Sequence, residues 1–177
     1  MPSTPSHVIR RLVATPVESE RFNVQEWALA TSESNGSRLF IDHPGVAAVL
    51  ATRPGQVLLI ENVRVNLGLT LMEIPAGTLM RGEDPMAAAK RELLEETGYS
   101  TDDWTKLAEF YASPGTSNEL VHLFHARNVE EVGPPSLDPF EDLSVAVLTP
   151  AEATSLIKQG AIVDAKTLIA LGLFMAE

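Results

Sequence analysis

The chain has no cysteine. That excludes a disulfide framework, a thiol nucleophile and any zinc site built on thiolates. It has no apolar run approaching the roughly 18 residues that a membrane-spanning helix needs, so no such helix is expected. Met1 to Arg11 carries prolines and polar residues instead of an apolar stretch of signal-peptide length, and the expected address is the cytoplasm. Positive charge is also scarce: 13 Lys+Arg stand against 24 Asp+Glu, a net of -11. A basic nucleic-acid-binding surface is disfavoured on that count, and so is binding to an anionic membrane.

What is present suits one globular domain over residues 1–177. The 177 residues are 45% hydrophobic and 21% charged, enough to bury a real core. The negative charge is uneven. Residues 83–96 carry a net of -3 and residues 130–142 a net of -5, together most of the excess, while residues 1–40 balance four acids with four bases. Two local acidic clusters ask for a cation more than a uniformly acidic surface does.

Short apolar-rich runs, 22–29 and 37–41, flank Ser34-Asn35-Gly36 and read as a hairpin. Residues 45–51 and 57–63 are near-continuous apolar runs, the pattern of strands buried on both faces, and 69–74 is a third strand. Asp84 is a good helix N-cap, Pro85 suits the first helical position and Gly98 suits the C-terminal cap, so a helix is predicted over Pro85–Thr97. Strands follow over 104–112 and 119–128, then an acidic, proline-containing loop over 129–142. A strand over 143–148 and helices over 150–158 and 164–175 complete a mixed α/β chain. Residues 1–40 read as a semi-independent sheet region.

A helix advances about 100° per residue, which puts Glu92, Glu95 and Glu96 within one arc of roughly 100°. Ala88 falls in the same arc and leaves room beside them. Met86, Ala87, Leu93 and Leu94 are predicted to face the core. Such an acidic face is either simply solvated or a site for a hard divalent cation, Mg²⁺ or Mn²⁺, which takes oxygen ligands.

From Gly77 the chain reads Gly, five residues, Glu83, seven residues, Arg91-Glu92-Leu93, one residue, Glu95-Glu96, one residue, Gly98. Seven fixed positions at fixed spacing arise by chance on the order of 10⁻⁸ per start. The pattern resembles the signature of the Nudix hydrolases, which cleave nucleoside diphosphates linked to another moiety. Tyr99 departs from it, at a packing position that is usually aliphatic. The resemblance implies a Nudix fold, an α/β/α sandwich with a mixed sheet, preceded here by the N-terminal hairpin region. It implies Glu92 and Glu96 as the main metal ligands with Glu95 close by, the carbonyl of Ala76 as a further ligand, and Glu83 with Arg91 as a supporting ion pair. Glu73 is placed by it on the metal side of the turn that leads to Gly77.

Other runs resemble the ADP-ribose pyrophosphatase branch: Glu73-Ile74-Pro75-Ala76-Gly77, Ser113-Pro114-Gly115 through Glu119, His43-Pro44-Gly45, and the tail Ile162-Val163-Asp164-Ala165-Lys166-Thr167. Where the branch often has Gln-Tyr-Arg, this chain has Asn62-Val63-Arg64. Arg64 is retained as a candidate diphosphate contact, with Pro114, Gly115 and Glu119 as substrate-side residues. Phe22, Trp27 and Phe40 are candidates for base stacking, although aromatics in strands often belong to cores. The resemblance implies a homodimer formed through the N-terminal region. It also implies the reaction ADP-ribose + water → AMP + ribose 5-phosphate, dependent on Mg²⁺.

A base must take the proton of the attacking water. The acidic loop supplies Glu141, with Asp142 in reserve, and Glu95 competes for the role. His122 and His125, three apart in a strand, point to opposite faces and read as ordinary strand residues. Two alternatives stay open: a pyrophosphatase for another nucleoside diphosphate sugar, and a nucleotide-sensing domain that binds without hydrolysis.

Overall fold

A computed structural model describes residues 9–176; Met1 to Val8, most of the segment read above as lacking a signal-peptide run, and Glu177 lie outside the described residues. Strands β1 (Ile9–Val17), β2 (Asn23–Ala30) and β3 (Asn35–Asp42) form a three-stranded antiparallel sheet. The expected hairpin is β2–β3, but its turn is Thr31–Ser34, closed by Thr31 N donating to Ser34 O at 2.8 Å. Asn35 and Gly36 already belong to β3. Strand β1 was not expected, because Ile9–Val17 alternates poorly and its pairing with β2 shifts register twice.

The central sheet holds β4 (Val46–Arg53), β5 (Gln56–Arg64), β6 (Leu69–Glu73), β7 (Ala76–Thr78), β9 (Asp103–Tyr111), β10 (Leu120–Arg127) and β12 (Leu143–Leu148). Helix α1 (Pro85–Thr97) leads into β8 (Tyr99–Ser100), which pairs with β11 (Glu130–Glu131). Helices α2 (Pro150–Lys158) and α3 (Ala165–Met175) end the described chain. The order is β12-β5-β4-β10-β9, with β6 on β5 and β7 on β4. The β4–β10 pair is parallel and the other pairs of this sheet are antiparallel. The sheet is therefore mixed, as expected.

Period-two alternation divides β4 between two cores. Ala47, Val49 and Ala51 pack with Ala88, Ala89 and Leu93 of α1. Ala48 and Leu50 pack with Ala153 of α2 and with Ala170 and Leu171 of α3. Both faces are covered, which is why the strand reads as an unbroken apolar run. The result is the predicted α/β/α sandwich. Among the described residues no helix is long and apolar enough to cross a membrane.

One irregularity positions the site. β5 pairs with β4 only through Gln56–Leu58 and then diverges. β7 takes the vacated edge, pairing Ala76–Thr78 with Val46–Ala48, and Val49 N donates to Pro75 O at 2.9 Å. The turn from β6 to β7 is thereby fixed directly under α1.

Candidate active site

Helix α1 starts as predicted. The Asp84 side chain accepts from Ala87 N at 2.9 Å, and Pro85 fills the first turn, where an amide hydrogen has no helical partner. It ends at Gly98, which adopts a left-handed φ of 74°. The faces differ from expectation. Ala88, Ala89, Glu92, Leu93 and Glu96 are buried, whereas Ala87 and Leu94 are exposed. Ala87 and Leu94, expected to face the core, face out; the structure turns Glu92 and Glu96 inward instead, because the β6–β7 turn sits below them. Glu92 and Glu96 therefore line a crevice between α1 and that turn, while Glu95 stays half-exposed at its rim.

Ala76 N donates to Glu96 Oε2 at 2.9 Å. A Cβ on Gly77 would lie 1.9 Å from Glu92 Oε1, so the glycine makes the space that the Glu92 carboxylate fills. Burial pushes both carboxyls up from the ordinary range. Glu96 is pushed up to about 8, by burial first and then by the neighbouring Glu92 and by Glu141, against the opposing Ala76 N–H and Lys166. Glu92 is raised by burial, and the Arg91 guanidinium offsets part of that.

Arg91 is the local counter-ion. Its Nη1 reaches Glu92 Oε1 at 2.7 Å and Glu95 Oε2 at 3.0 Å, and its Nε reaches Glu83 Oε1 at 3.2 Å. Glu83 also accepts from Met80 N at 2.8 Å, closing the turn before the helix. Against the upward pull of burial, the Arg91 and Met80 bonds draw the Glu83 carboxyl below the usual range. The Glu83–Arg91 pair implied by the resemblance is thus formed, and one guanidinium ties it to two of the three helix glutamates.

The acidic loop is bonded to the end of α1. Val132 N donates to Gly98 O at 2.9 Å and Ser136 N to Glu95 O at 2.8 Å. Glu130 and Glu131, within the stretch expected as a loop, form β11, too short for periodicity to register. Farther along, Glu141 accepts from Asp138 N at 3.0 Å. It acts electrostatically on both Glu92 and Glu96, whereas Asp142 is exposed and its carbonyl accepts from Val63 N at 2.9 Å.

Arg64 lies on the same side. Its Nε and Nη2 grip Glu73 Oε1 and Oε2 at 2.7 and 2.6 Å, and it is also influenced by Glu96. Glu73 is 1% exposed, and its oxygens are taken by Arg64 and by Lys166 Nζ. It serves here as the anchor of two cations. Lys166 and Asp164 were not singled out from the sequence. Their signal was the tail Ile162 to Thr167, which carries no spacing that ties it to Glu73.

The other candidates sit elsewhere. Pro114 and Gly115 occupy an exposed turn in which Ser113 O accepts from Thr116 N and Ser117 N at 3.0 and 2.9 Å. Glu119 follows it, and burial together with the charges of Glu119 and Asp42 acts on His43. Trp27 bonds Gln25 Oε1 through Nε1 at 2.9 Å, and the Arg10 guanidinium lies 5.3 Å from its ring centre. Phe40 pairs in register with Gln25, and Phe22 precedes β2. No hydrogen bond or ion pair found among the described residues joins these side chains to the glutamates. His122 bonds Glu109 Oε1 at 2.7 Å, and His125 bonds Thr52 Oγ1 at 2.8 Å.

No three carboxylate or imidazole groups among the described residues close around one point as a ready-made cage. The donor set still fits a hard divalent cation. It is oxygen only, and its two buried carboxyls resist ionisation until a cation compensates them. Mg²⁺ needs few protein ligands because it keeps water and shares substrate phosphates.

Comparison with known proteins shows the family. The model of the family described as NUDIX domain matches residues 42–171. The chain belongs to that family and is a Nudix hydrolase. It is 40% identical over 136 residues to the ADP-ribose pyrophosphatase of Bacillus subtilis (strain 168), covering 76% of this chain and 74% of that protein. Identity and coverage are the same for the methanol dehydrogenase activator of Bacillus methanolicus. A crystal structure of an ADP compounds hydrolase shares the fold, with a TM-score of 0.77 at 22% identity over 98% of this chain and 96% of that one.

Proposed function

We propose that the protein hydrolyses the diphosphate linkage of ADP-ribose to AMP and ribose 5-phosphate, with Mg²⁺ as cofactor and Mn²⁺ as substitute. The observation that carries this is the crevice itself: Glu92 and Glu96 stacked on Ala76 and Gly77, with Glu141 within electrostatic reach of both. The similarity to the Bacillus subtilis pyrophosphatase supports the choice of substrate.

A bound divalent cation neutralises diphosphate charge and acts as a Lewis acid. Glu92 and Glu96 hold it, with the Ala76 carbonyl as a further donor, and Arg91 keeps Glu92 and Glu95 aligned. Glu141 accepts the proton of the attacking water. The new phosphorus–oxygen bond forms as the bond to the bridging oxygen breaks, and that oxygen leaves with the second phosphate. Arg64, fixed by Glu73, receives the diphosphate. Phe22, Trp27 and Phe40 are the base-side candidates, and Pro114, Gly115 and Glu119 belong to a loop that bonds β3 at Ile41, next to Phe40.

The chain works as a cytoplasmic homodimer in this reading. Support for the dimer comes from β1–β3: Ile9, Val17 and Leu39, at 73%, 49% and 59% exposure, share one face of that sheet. A second copy is the proposed cover, and light scattering tests it. The alternative substrate class is another nucleoside diphosphate sugar. Asn62-Val63, standing where the resembling branch often has Gln-Tyr, favours keeping it open.

The test is AMP release from ADP-ribose with and without Mg²⁺, run beside a panel of nucleoside diphosphate sugars. Metal-dependent release fastest from ADP-ribose is expected. Faster release from another sugar nucleotide moves the substrate, and tight binding without turnover indicates a sensor. Running the reaction in ¹⁸O water identifies the phosphorus attacked.

A further inference from the structure

We propose that Lys166 is a positioning residue that, through Glu73, fixes the direction of the Arg64 guanidinium. This rests on the reading of Arg64 as the diphosphate contact. Arg64 pairs in register with Leu69, while Glu73 pairs with Ile60. A rise of four residues, about 13 Å, separates those two pairs along the β5–β6 hairpin. The paired residues Arg64, Leu69, Ile60 and Glu73 share one face of the hairpin by strand alternation. Arg64 and Glu73 meet all the same, in a two-pronged contact. The guanidinium is therefore folded back along the hairpin toward Glu96, and not extended from its tip into water.

Glu73 cannot do this as an isolated group. A carboxylate with 1% exposure is costly unless fully paired. Lys166 supplies the second cation, bonding Glu73 Oε2 and Asp164 Oδ1, the latter at 2.9 Å. Asp164 is itself immobilised as the N-cap of α3, accepting from Thr167 N and Oγ1 at 2.9 and 2.6 Å. Thr167 Oγ1 also accepts from Ile74 N at 2.8 Å.

The Thr167–Ile74 bond and the packing of Ala170 and Leu171 with Ala48 and Leu50 already dock the helix on the sheet. The Asp164–Lys166–Glu73 chain adds buried charge that docking does not need, and it ends on Arg64, whose side chain is 39% exposed. Lys166 lies between two carboxylates, with a side chain 13% exposed, so its charge is already matched. It does not receive substrate; it determines where Arg64 points. Arg64 spends Nε and Nη2 on Glu73 and keeps the Nη1 edge of its planar fork for an anion.

The experiment compares Lys166→Met, Arg64→Lys and the double variant on ADP-ribose, and follows the Arg64 Nε–H signal by ¹⁵N NMR, assigned by its loss in Arg64→Lys. Lys166→Met is expected to raise KM ten- to roughly a hundredfold, with kcat changed far less. In the Arg64→Lys background it is expected to add nothing, since both changes remove the same contact. The Arg64 signal is expected to be slowly exchanging in the wild type and rapidly exchanging in Lys166→Met. Lys166→Arg keeps the cation and is expected to retain the slow signal, which separates positioning from loss of fold. An unchanged KM in Lys166→Met, or additive effects in the double variant, overturns the proposal. If the wild type does not turn over ADP-ribose, the substrate reading fails by itself. The NMR signal needs no substrate, and an Arg64 resonance unaltered in Lys166→Met then overturns the positioning role.

Discussion

A Cβ at residue 77 would sit 1.9 Å from one Glu92 oxygen and 2.4 Å from the other. Gly77 is required there by space and not by an unusual backbone angle, since its φ is not among the positive ones. Nothing in the β7–α1 contact allows both a methyl group and the carboxylate to keep their places.

Gly77→Ala is accordingly expected to displace Glu92. Overpacking of this kind costs about 1–3 kcal/mol, so the variant folds but is less stable. Metal-dependent hydrolysis should fall far more than stability does. Urea denaturation and AMP release, measured side by side, check this, and wild-type turnover in the variant refutes the cradle.

Glu96 governs a pH dependence of the metal-free protein. Its reference value is 4.5 and its folded value is about 8, so the folded state holds a proton that the unfolded state releases. Stability from this group is full below pH 4.5 and declines as pH rises toward 8, by a few kcal/mol on the order set by the shift. Glu96→Gln should flatten that decline and abolish Mg²⁺-dependent turnover with the fold intact. Thermal melts in chelator at pH 5, 6.5 and 8 provide the measurement. A slope that survives in Glu96→Gln assigns the proton elsewhere.

Glu141→Gln removes the proposed base but no metal ligand. A general base is worth about 10² to 10⁴ in rate, so kcat should drop on that scale while KM stays close to wild type. Steady-state kinetics decide it; an unaltered kcat transfers the role to Glu95 or Asp142.

Gly98→Ala probes how the loop is held. Residue 98 has φ 74°, and a Cβ there would lie 2.0 Å from Gly133 O. The substitution should strain the backbone and push the 132–136 segment off the helix end. Metal affinity, read by Mn²⁺ titration, should persist while kcat falls, because Glu141 is carried by the displaced loop. Equal loss of both points to general unfolding.

The sequence made β4 and α1 legible because each carries a strong local signal. β4 is apolar on both faces, and α1 has a cap at each end. The signature also located Glu83, Arg91, Glu92 and Glu96 in one cluster. The inward turn of the glutamates was not legible, because it depends on β7 replacing β5 beside β4, a pairing between segments some 30 residues apart. The Lys166–Glu73 contact was hidden for a similar reason: 93 residues separate the partners, and neither has a pattern that names the other. β1 and β11 were missed because an irregular register and a two-residue length leave no periodicity to read.

Arg91 has a consequence for the life cycle of the site. By bridging Glu83, Glu92 and Glu95, it offsets part of their charge and holds them in place before any ion arrives. These contacts form within the chain itself, in contrast to small zinc domains whose ligands are gathered by the metal. A divalent cation then meets carboxylates that the helix already holds in place. On this basis the acidic crevice works as a docking berth that stays assembled between cargoes.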